Sequence, residues 1–126
     1  RCSKRWGRML FDPSKIQNVY VACGYTDMRK QIDGLAAIVQ LQFNMEFDDD
    51  TIFLFCGRKS DRIKALYWDG SGYVLLYKRL ADQKFQWPRS ESDLKKITAQ
   101  EFRWLMEGLS ITQKKAIRQT APARMF

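Results

Sequence analysis

The side chains of this 126-residue chain that could carry out catalytic chemistry are its carboxylates and its three cysteines, because the sequence contains no histidine. The commonest general base and every Ser-His or Cys-His arrangement are therefore absent. Cys2, Cys23 and Cys56 are too far apart in sequence for a CxxC zinc pair. So sparse a set is typical of reduced thiols in a cytosolic protein. No glycine-rich phosphate loop is present. We expect no enzyme activity, metal or cofactor.

The carboxylates leave one route to catalysis open, since a two-metal nuclease needs several of them at one site. That reading would require Asp27, Asp33, Asp61 and Asp69 to converge. The local sequence favours simpler roles, because Asp is a common turn residue. The run Asp48–Asp50 is typical of a turn between a helix and a strand, and Asp69 is typical of a hairpin turn.

The net charge of +8 is concentrated at the two ends of the chain. Residues 1–8 and 112–126 each contain four basic residues and no acid, so the region between them is neutral. We predict one domain over residues 9–111, a basic leader outside it at 1–8, and a basic tail at 112–126 whose composition is typical of disorder. The positive charge favours a polyanionic partner, namely DNA. The candidate DNA-binding residues of the tail are Lys114, Lys115 and Arg118. No stretch approaches the ~20 apolar residues that a membrane helix needs.

Two further candidates, Arg29 and Lys30, follow Thr26 and Asp27. The oxygens of Thr26 and Asp27 could cap a helical turn, and a helix N-terminus with adjacent cations can hold a phosphate. The alternative is a capped turn with a solvated charged surface.

A larger basic group lies at the ends of three strands that we predict to be neighbours. If these ends converge, they form a patch suited to phosphate contacts without base specificity. The alternative is that the charges protect sheet edges from association. The group consists of Arg58, Lys59, Arg62, Lys64, Lys78 and Arg79.

Aromatic residues are interleaved with these charges and could stack on bases. Aromatic residues that alternate in strands are also typical of core and cross-strand pairs, and in each strand one parity must face the core. The residues in question are Tyr67, Trp68, Tyr73, Tyr77 and Trp87.

The element that must position these residues is a hairpin. The β-prone runs 63–68 and 73–77 flank Asp69–Gly72, a short Asp/Gly loop typical of an antiparallel hairpin. Thr51–Cys56 is the most hydrophobic run and is predicted to be the central strand. Val19–Cys23 is a further short strand, and Pro88 should end strand pairing.

Helices are predicted on both sides of this sheet region. Apolar spacing indicates a helix near 33–44 with Asp33 as its cap. Thr98 and Glu101 form a capping-box pattern, and that helix should stop at Gly108. Residues 89–96 read as a polar connection. The fold class is therefore α+β: a small antiparallel β-meander of about four to five strands with two main helices packed on it.

Six segments of the chain, taken in order, resemble the small accessory protein encoded beside the transposase in bacterial mobile elements of the insertion sequence 66 family. Residues 1–8 lie outside the family pattern, and Asp48–Asp50 replaces its usual proline-containing turn. The segments are Gly24–Lys30, Asp33–Ala36, Lys64–Gly72, Lys78–Leu80, Phe85–Pro88 and Leu105–Gly108.

The resemblance implies a helper in transposition that acts with a separate transposase and another small protein. The catalytic acids would lie on the transposase. This agrees with the absence of a catalytic group of carboxylates in the sequence of the present chain. We therefore predict a non-catalytic accessory protein of the bacterial cytoplasm that binds DNA through its basic patches. The alternative is a protein-interaction module that binds transposase, or forms a homo-oligomer, without contacting DNA.

Overall fold

The computed structural model describes residues 10–89 and 93–112. The predictions for the leader, and for Lys114, Lys115 and Arg118 in the tail, lie outside these residues. Within the described ranges, no helix is long and apolar enough to cross a membrane. A short 3-10 helix precedes the first strand. The elements in chain order are the 3-10 helix Pro13–Lys15, β1 (Asn18–Ala22), α1 (Ile32–Ala37), β2 (Thr51–Cys56), β3 (Arg62–Trp68), β4 (Tyr73–Arg79), β5 (Leu94–Ile97) and α2 (Ala99–Met106).

The five strands form one sheet in the order β4-β3-β2-β1-β5. The pairs β2–β3, β3–β4 and β1–β5 are antiparallel, whereas β1 and β2 are parallel, with Asn18 opposite Thr51. The mostly antiparallel sheet and its two helices confirm the α+β fold class. The sheet departs from a meander in two places. β1 and β2 are parallel because α1 carries the chain back to the start of the sheet between them. β5 pairs with β1 and not with β4.

β2 lies at the centre of the sheet, as its composition predicted, and all six of its residues are buried. Its side chains alternate between two hydrophobic clusters. Ile52 and Leu54 belong to the cluster that includes Leu105 of α2, and Phe53 and Phe55 belong to the cluster that includes Leu35 of α1. Each face of the sheet thus packs against one helix.

The hairpin and the second helix agree with the sequence prediction. Asp69 Oδ1 accepts hydrogen bonds from the backbone N–H groups of Ser71 and Gly72, each at 2.9 Å, and closes the β3–β4 turn. The side chain of Thr98 accepts from the Glu101 N–H at 3.1 Å, and the Glu101 carboxylate accepts from the Thr98 N–H at 2.8 Å, as a capping box requires. The helix ends before Gly108, which has a φ of 83°.

Two details of the prediction were wrong: the cap of the first helix and the end of the polar connection. The N-cap of the first helix is Gln31, which makes no side-chain capping bond, and Asp33 lies in the first turn. Beyond Ala37 the helix continues as a π-helical turn, Ile38–Gln42. The Thr26–Lys30 segment, by contrast, is the capped turn that the sequence offered as an alternative, because the Arg29 N–H donates to Asp27 Oδ1 at 2.9 Å. The end of the supposed polar connection is strand β5, which pairs with β1.

Candidate nucleic-acid interface

Six of the predicted DNA-binding residues gather at one end of the sheet. Because β1 and β2 are parallel, the loops that follow them leave the same edge of the sheet. β3 begins and β4 ends there too, and Arg62 is paired in register with Arg79. We call the cations at this end the basic rim: Arg29, Lys30, Arg58, Lys59, Arg62, Arg79 and Arg89.

Backbone hydrogen bonds tie the loops of the basic rim together. The Thr26 N–H donates to the Cys56 carbonyl at 2.8 Å, and the Gly24 N–H donates to the Pro88 carbonyl at 2.9 Å. The Phe85 N–H donates to the Ser60 carbonyl at 2.7 Å. Three segments that are distant in sequence are therefore fixed relative to one another. Two of them line a cleft of about 490 Å³, which lies between residues 25–29 and 57–62.

Two cations of the basic rim are paired with neighbouring carboxylates. Arg29 Nη2 lies 2.9 Å from Asp27 Oδ2, and Arg62 Nε lies 2.9 Å from Asp61 Oδ1. Hydrogen bonds from Arg29 lower the pKa of Asp27 to about 2, and those from Arg62 lower the pKa of Asp61. Both carboxylates are therefore charged at neutral pH and partly offset the rim's positive potential.

The other predicted cations of the basic rim form no ion pair with any described residue. They are Lys30, Arg58, Lys59 and Arg79. Because phosphate recognition requires cations that are not already neutralised, these four are the candidates best placed for it.

Arg89, which the sequence prediction did not include, lies beside this group. Its guanidinium carbon is 3.8 Å from the centroid of the Tyr25 ring, and that of Arg58 is 5.1 Å from the same ring. Arg89 Nη2 donates a hydrogen bond to Ser60 Oγ, and its Nη1 is buried with no hydrogen-bond partner among the described residues. The ring of Tyr25 therefore holds two guanidinium groups at the cleft.

Two of the predicted residues are placed differently from this group. Lys64 is buried in β3, with 5% of its surface exposed, and its Nζ donates to the Lys30 carbonyl at 2.8 Å. Nζ also lies 5.4 Å from the centroid of the Tyr77 ring. Lys78 precedes Arg79 on β4 and has the opposite side-chain parity, so it faces the α2 side of the sheet. The structure thus brings six of the eight predicted residues within the described ranges to the rim.

The aromatic residues are mainly structural. Tyr67 and Trp87 are buried, and the Trp87 indole N–H donates to the Ala22 carbonyl at 2.9 Å. Trp68 and Tyr73 form an edge-to-face pair with ring centroids 5.0 Å apart. Tyr77 is exposed but lies over Lys64. The core interpretation therefore fits these residues better than base stacking.

The carboxylates and cysteines do not form a metal site in the part of the chain that the structure describes, where no three His, Cys, Asp or Glu side chains could share an ion. Asp27 and Asp61 are bound to arginines, and Asp69 closes a turn. Cys23 and Cys56 are buried, and burial raises the pKa of the Cys56 thiol to about 11, against the opposing charge of Arg89.

The fold and the site together define a small α+β protein with a cationic edge. The chain belongs to the family described as IS66 Orf2 like protein, which matches residues 17–116. The resemblance found from the six sequence segments is thereby confirmed. Membership of this family places the protein among those associated with IS66 transposition.

Two relatives come from Sinorhizobium fredii (strain NBRC 101917 / NGR234). The uncharacterized protein y4jC is 32% identical over 106 residues, covering 84% of this chain and 91% of y4jC. The uncharacterized protein y4hO is 34% identical over 91 residues, covering 72% of this chain and 79% of y4hO. No solved structure matches the chain.

Proposed function

We propose that this protein is a non-catalytic accessory protein of transposition that binds duplex DNA through its basic rim. It acts in the bacterial cytoplasm alongside the transposase and another small protein of the same element. The observation that carries the proposal is the meeting of cations from three separate loops and two strand ends at one edge of the domain 9–111, whose basic and acidic residues are equal in number.

The type of side chain at the basic rim supports contacts with phosphates. Arginine and lysine make most protein contacts to the DNA backbone, and these contacts position a protein without reading sequence. Binding should therefore depend strongly on salt and weakly on DNA sequence.

The proposal gives different roles to different cations. Arg58, Lys59 and Arg79 contact phosphates directly, because no carboxylate neutralises them. Lys64 acts indirectly: its bond to the Lys30 carbonyl fixes the loop that carries Arg29. The leader 1–8 and the tail residues Lys114, Lys115 and Arg118 add nonspecific attraction to the folded domain 9–111.

The test is duplex-DNA affinity across a salt series. A variant with Arg58→Gln, Lys59→Gln and Arg79→Gln should lose up to three phosphate contacts, which would flatten the slope of log K against log salt by up to about 2.7. The control variant carries Lys15→Gln, Lys96→Gln and Arg103→Gln, which make the same change in net charge away from the basic rim. Equal slopes for the two variants would refute a site at the rim.

A second candidate function is association with another protein chain through the sheet edge. Among the described strands β4 pairs with β3 alone, and its residues Leu76 and Tyr77 are 37% and 55% exposed. An open edge of this kind can pair with a strand of transposase or of a second copy. Sedimentation of the full chain over a concentration series tests self-association, and co-purification with the element's transposase tests the other partner. A concentration-independent monomer that fails to co-purify would remove this candidate.

A further inference from the structure

A cleft within the basic rim opens to solvent between residues 25–29 and 57–62. We call it the rim cleft. One wall carries Tyr25, which is 50% exposed, and the other carries the exposed side chains of Arg58 and Lys59. The aromatic and charged groups of both walls are therefore within reach of a ligand.

Contacts at the base of the rim cleft fix its two walls. Met28 packs against Gly57, where a Cβ would lie 2.6 Å from Met28 Cγ. The Thr26 N–H donates to the Cys56 carbonyl at 2.8 Å. Because the walls are already joined, a ligand would not have to order them, and this lowers the entropic cost of binding.

Positive charge prevails in the rim cleft. Among the described residues that line it, four are cations and one, Asp27, is an acid. Asp27 is bonded to Arg29, and Arg62 is bonded to the carboxylate that precedes it. Arg58 and Lys59 are left to attract an anion, since no described carboxylate pairs with them.

The ring of Tyr25 brings a further charge to this site. The guanidinium carbons of Arg89 and Arg58 lie 3.8 Å and 5.1 Å from the ring centroid. Each guanidinium gains from the ring, but the two like charges also repel each other. An anion bound to Arg58 would offset that repulsion, so the site is suited to a group with more than one negative charge.

The size of the rim cleft limits which part of a DNA molecule can enter it. Its volume of about 490 Å³ is in the range of small-molecule sites. A duplex, whose major groove alone is about 12 Å wide, cannot enter, but a group that projects from the end of a strand can. A terminal phosphate has three free oxygens and a charge of about −1.5 to −2 at neutral pH, whereas an internal phosphate carries a single charge.

We propose that the rim cleft binds the terminal phosphate of a DNA strand. Arg58 and Lys59 donate hydrogen bonds to its oxygens, and Arg89 adds charge beside the Tyr25 ring. This role rests on the proposed function, since the rest of the basic rim holds the adjoining duplex. It gives the protein a preference for DNA ends, which phosphate contacts along a duplex would not give.

The test compares three forms of one short duplex whose other end is closed by a hairpin loop. The open end carries a 5′-phosphate, a 3′-phosphate or hydroxyl groups alone. Fluorescence anisotropy with the full-length protein at constant ionic strength should give a Kd at least about tenfold lower for one phosphorylated form than for the hydroxyl form. Equal affinity for all three forms would overturn the terminal-phosphate site and leave DNA binding by the basic rim intact. Absence of binding to every form would refute the proposed function as well.

Two matched variants locate the preference. Arg58→Gln removes one charge inside the rim cleft, and Arg79→Gln removes one charge of the basic rim outside the cleft lining. Both side chains are exposed, so both variants should fold. Arg58→Gln should reduce the preference to about twofold or less, whereas Arg79→Gln should weaken the phosphorylated and hydroxyl forms by the same factor. Equal loss of the preference in both variants would overturn the proposal. So would its loss when inorganic phosphate is equimolar with the DNA, because the ligand would then be free phosphate.

Discussion

Replacing Tyr67 with Phe should reveal how the acidic turn before β2 is held. Tyr67 is 1% exposed, and its hydroxyl donates a hydrogen bond to the Asp49 carbonyl. Tyr67→Phe preserves the ring, including its edge-to-face contact with Phe11 at a centroid distance of 5.6 Å. The change therefore isolates one hydrogen bond.

The expected magnitude follows from where the two partners lie. A buried carbonyl left without a donor would cost about 1–3 kcal/mol, but Asp49 lies at the surface, where water can replace the lost hydroxyl. The cost should therefore be near the net value of one hydrogen bond, about 1 kcal/mol. In a domain of this size that corresponds to a decrease in Tm of about 4 °C.

The cost of Tyr67→Phe should also depend on pH. Burial, followed by the charges of nearby aspartates, raises the pKa of Tyr67 above its ordinary value of 10.0. The stability that the protonated hydroxyl contributes is then fully present below pH 10 and is lost as the pH rises through the folded-state pKa. The difference in stability between wild type and variant should shrink accordingly.

Urea unfolding at pH 7 and again above pH 10 measures both effects. Tyr25→Phe is the control. The Tyr25 side chain is half exposed, so the loss of its hydroxyl should change the free energy of unfolding little at either pH. A pH 7 cost for Tyr67→Phe no larger than that of the control would refute the role of the hydrogen bond. A difference that stays constant as the pH rises would refute the assignment of the raised pKa.

Three further substitutions probe other parts of the structure. Thr98→Ala removes the capping box of α2 and should lower the free energy of unfolding by about 1 kcal/mol in urea titrations; no loss would mean that packing alone holds the helix. A Cβ at Gly57 would lie 2.6 Å from Met28 Cγ, so Gly57→Ala should lower the free energy of unfolding by about 1–2 kcal/mol. In a Met28→Ala background the loss should be smaller, which a double-mutant cycle measures. Strictly additive losses would contradict the clash. Asp27→Asn keeps the turn but frees Arg29, and should tighten DNA binding by roughly twofold to fivefold at low salt; weaker binding would count against the basic rim.

The features that the sequence predicted correctly depend on neighbouring residues. The β3–β4 turn is closed by Asp69 within three residues, and the α2 cap joins Thr98 to Glu101. β2 was recognised because a strand covered on both faces is apolar throughout. In each case the interactions that determine the structure are present in the local sequence.

The features that were missed depend on contacts between distant segments. β5 has two exposed lysines among four residues, Leu94–Ile97, and is a strand because its backbone pairs with β1. Arg89 contacts Ser60, 29 residues away, and no local pattern marks it. The burial of Lys64 also follows from the placement of α1 over the sheet, which its charge alone would not suggest.

The position of β1 between β2 and β5 has a consequence for the order of folding. Val19 is paired with Ile52 on one side and with Ile97 on the other, so the first of the described strands has its second edge covered by the last of them. During synthesis, β1 must keep an open edge until residues 94–97 have left the ribosome. The domain therefore completes its sheet only after β5 has been synthesised, and a nascent chain interrupted before β5 exposes the strand edge that the folded domain conceals.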